Sequence, residues 1–482
     1  MEEKEAFDKY KNFSEWFRTI IMDAELVDTR YPVKGCYVWR PYGFKLRKYV
    51  LDIIRRLLNN TGHEEVLFPL LIPEDILGLE KEHIKGFEGE VYWVTHGGLR
   101  RLEKKLALRP TSETAMYSMF KKWVHSHADL PIKVYQIVNI FRYETKATKP
   151  LIRVREVTTF KEAHTVHATM EEAEKQVKEA VEVYSKFFNE LGIPYIICRR
   201  PNFDKFAGAE YSIAFDTLMP DGRTMQIGTV HNLGQNFAKA FELTYEDING
   251  KHQFAYQTCY GISERVIAAI VAIHGDNRGA IFLPSIAPIQ VVIVPIIYKG
   301  EEEKVLQQCR KVLNALKQEG IRTFLDERDI SPGRKFYDWE FRGVPVRIEI
   351  GPKDVANNQV TIVRRDTFER KTYSMEDLTT VIKEIFTEIE ENLRKRAWEE
   401  FRKRIFRVKN LQEAKEIIQN RRGIALIPWC ESDECGLKMC EEVDGDVLGV
   451  VLSEDLVNLA ENEVCPICGK ETKKMAAIAK TY

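Results

Sequence analysis

The stretch NIFRYETKATKPLIRVREV, Asn139 to Val157, sets three arginines, two lysines and two glutamates between apolar runs. Its flanks, Ile137–Phe141 and Leu151–Val154, are β-branched and partly alternating, which predicts two strands. The middle, TKATKP, has the composition of an exposed loop. Two readings of the charges are open. One is a solvated hairpin whose opposite charges pair across strands. The other is a cradle in which Arg142, Arg153 and Arg155 hold a polyanion from a rigid sheet. The rest of the chain must decide between them.

At 482 residues the chain exceeds one ordinary core, so two to four domains are expected. An apolar content of 44% with 30% charged residues fits a globular chain rather than a disordered one. No apolar run approaches the roughly 18 residues that a membrane span needs. The start, MEEKEAFDKYKNFSEWF, is acidic and amphipathic and lacks the features of a signal peptide, which predicts a cytoplasmic protein. There the nine cysteines would be thiols or metal ligands rather than disulfides. A net charge of −1 leaves any attraction to nucleic acid to local patches.

A break at FLPSIAPIQ, residues 282–290, ends a long mixed region. After it VVIVPIIYKG reads as a buried strand and EEEKVLQQCRKVLNALKQEG as a helix closed by Gly320. IRTFLDE, VPVRIEIG and QVTIVRRDT read as further strands of a small α/β domain. The run SMEDLTTVIKEIFTEIEENLRKRAWEEFRKRIF reads as a charged helical connector, and the last seventy or so residues are rich in cysteine. Earlier, Thr169 and Glu172 form a capping box for a helix whose apolar face runs through Val177, Tyr184, Phe188 and Leu191.

Five clusters can carry chemistry. Cys430 and Cys435, with Cys465 and Cys468 some thirty residues on, fit tetrahedral thiolate coordination of a structural Zn2+. RPTSET, from Arg109, sets Thr111 and Glu113 at a bend after a strand, where a plain helix N-cap is the competing reading. QIGTVHNLGQNF and KFAGAEYS add polar and aromatic candidates. In CYGISERVIAAIVAIHGD, Arg265 lies on the first turn of an apolar helix, beside the N–H groups that suit a phosphate. Neither G-x-x-x-x-G-K-S/T nor G-x-G-x-x-G occurs, so ATP would sit on a sheet with arginines rather than on a phosphate loop.

In order, these pieces resemble the class II aminoacyl-tRNA synthetases. VWRPYGFKLRKYVLDIIRRLL around Pro41 is similar to the first class motif, FRYE with RVREV to the second, and GISERV to the third. RPTSET, FKEAH, KFAGAEY, TVHNLGQNF and HGDNRG followed by LPSIAPIQVVIVP resemble the prolyl-tRNA synthetase family of archaeal and eukaryotic type. The likeness covers essentially the whole chain.

The resemblance implies a multidomain α/β (α+β) chain. Its parts would be an antiparallel-sheet catalytic domain over 1–285, a small α/β anticodon-binding domain over 286–390, and a helical connector with a zinc-containing α/β domain over 391–482. It implies ATP-dependent attachment of L-proline to tRNA(Pro) through prolyl-adenylate, and a homodimer formed through the motif around Pro41. Arg142 and Arg265 would be catalytic, with Glu144, Arg153, Gln226, Thr229 and Ser263 as further ATP contacts and Mg2+ carried by the triphosphate. Thr111, Glu113, Arg142, Phe160, His164, Phe206 and His231 would bind proline. Glu340 and Arg347 would read anticodon guanines. Arg155 and the loop lysines are further contacts to nucleotide or to the tRNA end.

The rivals are a sister synthetase and a non-catalytic paralogue. A threonyl enzyme would need a His/Cys metal site in its catalytic region, where Cys36, Cys198 and Cys259 are scattered along the chain. A non-catalytic paralogue would be expected to lose one of the two catalytic arginines, and both are present.

Overall fold

The computed structural model describes residues 7–79, 89–453, 456 and 463–482, so the first six residues of the acidic N-terminus lie outside it. Helix α1 (Pro41–Asn59) begins on a proline whose fixed φ and missing N–H suit a first helical position. It buries Leu46, Val50, Ile54 and Leu58 along one stripe. Gly43 is required there, because a Cβ would stand 2.1 Å from the carbonyl oxygen of Leu26. Helix α2 (Glu113–Trp123) follows the RPTS bend.

The catalytic region is built on strands β1 (Ile132–Phe141), β2 (Glu156–His167), β3 (Ile196–Arg199), β4 (Tyr211–Leu218), β5 (Arg223–Gly234) and β6 (Tyr256–Ile262). They stand in the order β3-β4-β5-β6-β2-β1, all antiparallel, with α3 (Met170–Glu190) against one face. The capping box of α3 is present as the sequence predicts, with the Thr169 hydroxyl accepting from the Glu172 N–H. Helix α4 (Arg265–His274) leaves the sheet after β6 and is buried from Val266 to Ala272.

Only the first of the two expected strands around the charged loop is a strand. Leu151 adopts φ +62° and is wholly buried, and a tight turn joins Lys149 and Arg153 through two 2.8 Å backbone hydrogen bonds. The second strand starts at Glu156. Leu151 and Ile152 are apolar because the core takes their side chains, not because they join a ladder.

The next unit is a five-stranded sheet holding β7 (Val291–Pro295) and, after helix α5 (Pro332–Phe341), β8 (Val346–Ile350). Helix α6 (Leu378–Arg402) is more than a connector. It buries Leu378, Ile382, Ile385, Ile389, Leu393 and Phe401, so its charges cover only the outer face.

The C-terminal module contains α7 (Asp433–Val443), β9 (Asp446–Val451) and β10 (Met475–Thr481). Apart from a two-stranded ribbon, Glu463–Val464 against Glu471–Thr472, its strands join the catalytic sheet. β9 pairs with β3, and β10 pairs with β9 and runs on to meet β5 at Arg223↔Lys480. Eleven strands therefore form one sheet spanning the catalytic and C-terminal segments. Among the described residues no helix is long and apolar enough to cross a membrane.

Candidate active site

Strand alternation aims one set of side chains at the site. Phe160, Glu162 and His164 occupy alternate positions of β2 and line one cavity, whereas Lys161 points the other way and donates to the Tyr184 hydroxyl of α3 at 2.8 Å. On β5 an extra residue, Ile227, lies between the positions that pair with Phe215 and Asp216. This bulge resets the alternation and lets Gln226, Thr229 and His231 share the cavity face.

Two cavities adjoin on that face. The one of about 210 Å³ is lined by all seven expected ATP contacts, Arg142, Glu144, Arg153, Gln226, Thr229, Ser263 and Arg265, together with Glu90 and Glu264. The other, of about 250 Å³, is lined by all seven expected proline contacts, Thr111, Glu113, Arg142, Phe160, His164, Phe206 and His231. Arg142, Phe160, Gln226 and Thr229 line both. The residues named from the sequence therefore come together around two adjoining cavities, with Arg142 lining both.

Three arginines, Arg142, Arg153 and Arg265, face the first cavity along with three carboxylates, Glu90, Glu144 and Glu264. Arg142 Nε donates to the Pro110 carbonyl at 3.1 Å, and Arg265 Nε donates to the Ile152 carbonyl at 2.8 Å. Burial, and then the charges of Arg142 and Arg153, push Arg265 down to about 10. Guanidinium groups that repel one another in a desolvated cleft are poised for an anion. The hairpin reading predicted cross-strand neutralisation instead. Arg153 does pair with Glu144, at a long 3.8 Å. Arg155 donates to the Glu144 carbonyl at 3.1 Å and stacks on Tyr143, which fixes the loop. Lys149 of the same loop lies over the ring of Tyr482, 4.8 Å from its centre.

At the second cavity the plain N-cap reading of RPTSET fails. Ser112 makes no side-chain cap to α2; its hydroxyl donates to Glu162, and Thr111 donates to Glu113. Glu162 also accepts from Gln136 Nε2 at 2.8 Å and lies 3.2 Å from His164 Nε2. Burial drives Glu162 upward, but the hydrogen bonds from His164, Ser112 and Gln136 outweigh it and hold the carboxyl below its usual range. Phe206 stacks on His231 at 4.6 Å between ring centres, and His231 Nδ1 is 2.7 Å from the Ser212 hydroxyl. These aromatic groups make a small flat wall.

Sequence reasoning missed Glu162, Ser112, Gln136 and Cys259. The period of two in FKEAH was a usable signal for Glu162; Gln136, paired with Glu162 across β1 and β2, had none. Cys259 is also not isolated. It is the cross-strand neighbour of both His164 and His231, and its Sγ lies 3.6 Å from Glu113 Oε1.

Outside these cavities, Cys430, Cys435, Cys465 and Cys468 converge, with their sulfurs within 4.8 Å of one another and Cys468–Cys430 at 3.6 Å. Four sulfurs at such spacing fit a tetrahedral zinc ion with Zn–S near 2.3 Å. Cys440 stands outside the cluster, where its sulfur accepts the Val447 N–H. Glu340 on α5 and Arg347 on β8 also come together, at 2.7 Å. Arg347 further meets Glu349 at 3.0 Å and stacks on Phe336.

An antiparallel sheet that cradles anions with arginines and feeds an apolar helix defines a class II aminoacyl-tRNA synthetase core. The family model for the tRNA synthetase class II core domain (G, H, P, S and T) matches residues 92–274. The anticodon binding domain model matches 290–385, and the model for the prolyl-tRNA synthetase C-terminal region matches 411–482. The proline–tRNA ligase of Methanopyrus kandleri is 58% identical over 470 residues, 98% of this chain and 96% of that one. That of Methanothermobacter thermautotrophicus is 57% identical over 92% of each. A solved structure of Giardia lamblia prolyl-tRNA synthetase in complex with prolyl-adenylate superposes with a TM-score of 0.94 at 38% identity, covering 99% of both chains. The chain belongs to the prolyl-tRNA synthetase family, in its archaeal form.

Proposed function

We propose that this chain joins L-proline to tRNA(Pro) in two steps. The proline carboxylate attacks the α-phosphorus of ATP, giving prolyl-adenylate and diphosphate. The prolyl group then passes to the tRNA 3′ end with release of AMP. The observation that carries the reading is Arg142 lining both cavities, since activation must bring two anions together.

A guanidinium fork suits that junction, holding carboxylate and α-phosphate in line and stabilising the charge that builds between them. Arg265 takes the far phosphates, with Arg153, Glu144, Gln226, Thr229 and Ser263 around the nucleotide. Mg2+, brought by the triphosphate, neutralises charge on the phosphate oxygens. Thr111 and Glu113 accept from the secondary ammonium of proline, and Phe160, His164, Phe206 and His231 wall its ring. Glu340 and Arg347 meet anticodon guanines, exchanging their mutual ion pair for contacts to bases. Zn2+ on the four cysteines has a structural role, because four thiolates leave no open coordination position. The divisions at 286 and 391, a homodimer through α1 around Pro41 and a cytoplasmic location complete the reading.

The test is amino-acid-dependent ATP–diphosphate exchange with the twenty amino acids in turn. Exchange with proline is expected. Exchange with threonine or glycine but not proline overturns the assignment, and none at all favours the non-catalytic paralogue.

A further inference from the structure

The amino-acid cavity holds a donor set in which Glu113 and His164, assigned above to proline, are joined by Cys259, which proline binding does not use. Cys259 sits in the centre of β6 with His164 beside it on β2, and Glu113 reaches the same point from α2. One ligand atom from each of these three buried residues lies within 4.8 Å of the others. Cys259 Sγ and Glu113 Oε1 are 3.6 Å apart. Zinc bonds of about 2.3 Å to sulfur and about 2.0–2.2 Å to nitrogen and oxygen place tetrahedral ligands roughly 3.3–3.7 Å apart, so modest side-chain rotation closes the set.

The surroundings suit a cation. Glu162, also buried, lines the same cavity, so two carboxylates face it. Whichever ring nitrogen of His164 turns to a metal, the other keeps a partner: the Tyr117 hydroxyl at 3.0 Å on Nδ1, or Glu162 at 3.2 Å on Nε2. Such outer partners orient metal-bound histidines. A sulfur–nitrogen–oxygen triad favours a borderline-soft divalent ion over Mg2+, which takes oxygen ligands. On binding, the Cys259 thiol gives its proton to solvent and the thiolate joins the metal.

We infer that Glu113, His164 and Cys259 form a zinc-class divalent cation site inside the amino-acid cavity, so that zinc and proline exclude one another. The exclusion rests on the proline reading above, because both occupants need Glu113; the metal site itself does not.

The test uses the full chain with its four-cysteine cluster already filled. Proline-dependent exchange is measured at buffered free zinc over a range of proline concentrations. The apparent KM for proline should rise about elevenfold when free zinc is tenfold above its inhibition constant, with kcat and the KM for ATP unchanged. Cys259→Ser should raise that constant by about tenfold or more, read as a ratio whatever its own rate. Independently of activity, a second equivalent of Co2+ should give thiolate-to-cobalt charge-transfer absorption that saturating proline abolishes in the parent and that Cys259→Ser lacks. Inhibition not competitive with proline, an unchanged constant in Cys259→Ser, or absence of the proline-sensitive band would each overturn the site. Absence of proline-dependent exchange without zinc refutes the proline reading instead, and the cobalt band, compared between parent and Cys259→Ser, still decides the metal site.

Discussion

Replacing Arg142 by alanine separates a residue kept for chemistry from one kept for stability. The side chain donates a charge-assisted hydrogen bond from Nε to the Pro110 carbonyl, is attracted by Glu113, Glu90 and Glu162, and adds to the repulsion that depresses Arg265. With both substrates bound it would make charge-assisted contacts to two anions, each contributing about 1.5–3 kcal/mol. Losing both removes about 3–6 kcal/mol from the transition state, or roughly 10²–10⁴ in kcat/KM for exchange. The carbonyl contact is worth about 1.5–3 kcal/mol to the unliganded fold, partly offset by relief of the burial penalty on the guanidinium and of the repulsion with Arg265, so Tm should stay within about 3 °C. Arg142→Lys keeps the charge without the fork and should fall between the two. The assays are proline-dependent exchange and thermal melting of the same preparations. If Arg142→Ala keeps activity within about tenfold, or loses activity only in step with Tm, the bridging role is refuted.

Three other outcomes are open to direct measurement. Arg347→Ala should leave proline-dependent exchange within about twofold while reducing tRNA charging by about tenfold or more, since a bidentate base contact is worth about 1–3 kcal/mol; equal loss of both activities contradicts an anticodon role. In saturating proline, chelation should remove one zinc per chain, from the four-cysteine cluster, and lower Tm, whereas Cys468→Ser should already lack that metal and show no further drop; a chelator without effect on the parent refutes a structural zinc. Burial, reinforced by Lys133 and Lys161 at His63, holds His63 and His274 at about 3, against about 6.5 in an unfolded chain. As pH falls the unfolded chain takes up these protons first, so stability present above about 6.5 declines from there toward 3. A Tm–pH curve flat through that window, or unchanged in slope in His274→Gln, would refute this assignment.

The local parts of the fold were the legible ones. The α3 capping box and stripe, the strands of the small α/β unit and the arginines flanking the charged loop all follow from neighbours in sequence. Leu151–Val154 misled because a β-branched apolar run looks the same in a ladder or in a turn swallowed by the core. The apolar stripe of α6 was hidden among charges that occupy its other face. Gln136, Glu162 and Cys259 depend on cross-strand register, which no local pattern encodes. Pairing of β10 with β5 is the extreme case, with Thr224 bonded to the Lys480 carbonyl 256 residues away.

That long-range pairing changes what the thiolate module does for its host. In the assembled chain β3 lies between β4 and β9, so both of its backbone edges are occupied. Cutting the chain ahead of residue 411 would strip one edge from a strand that carries the buried Ile196 and Cys198. An unpaired edge of that kind recruits other chains. The four-cysteine module thus acts as an edge guard for the catalytic sheet, and a truncated enzyme should fail first by aggregation rather than by loss of the residues proposed for its active site, all of which it would retain.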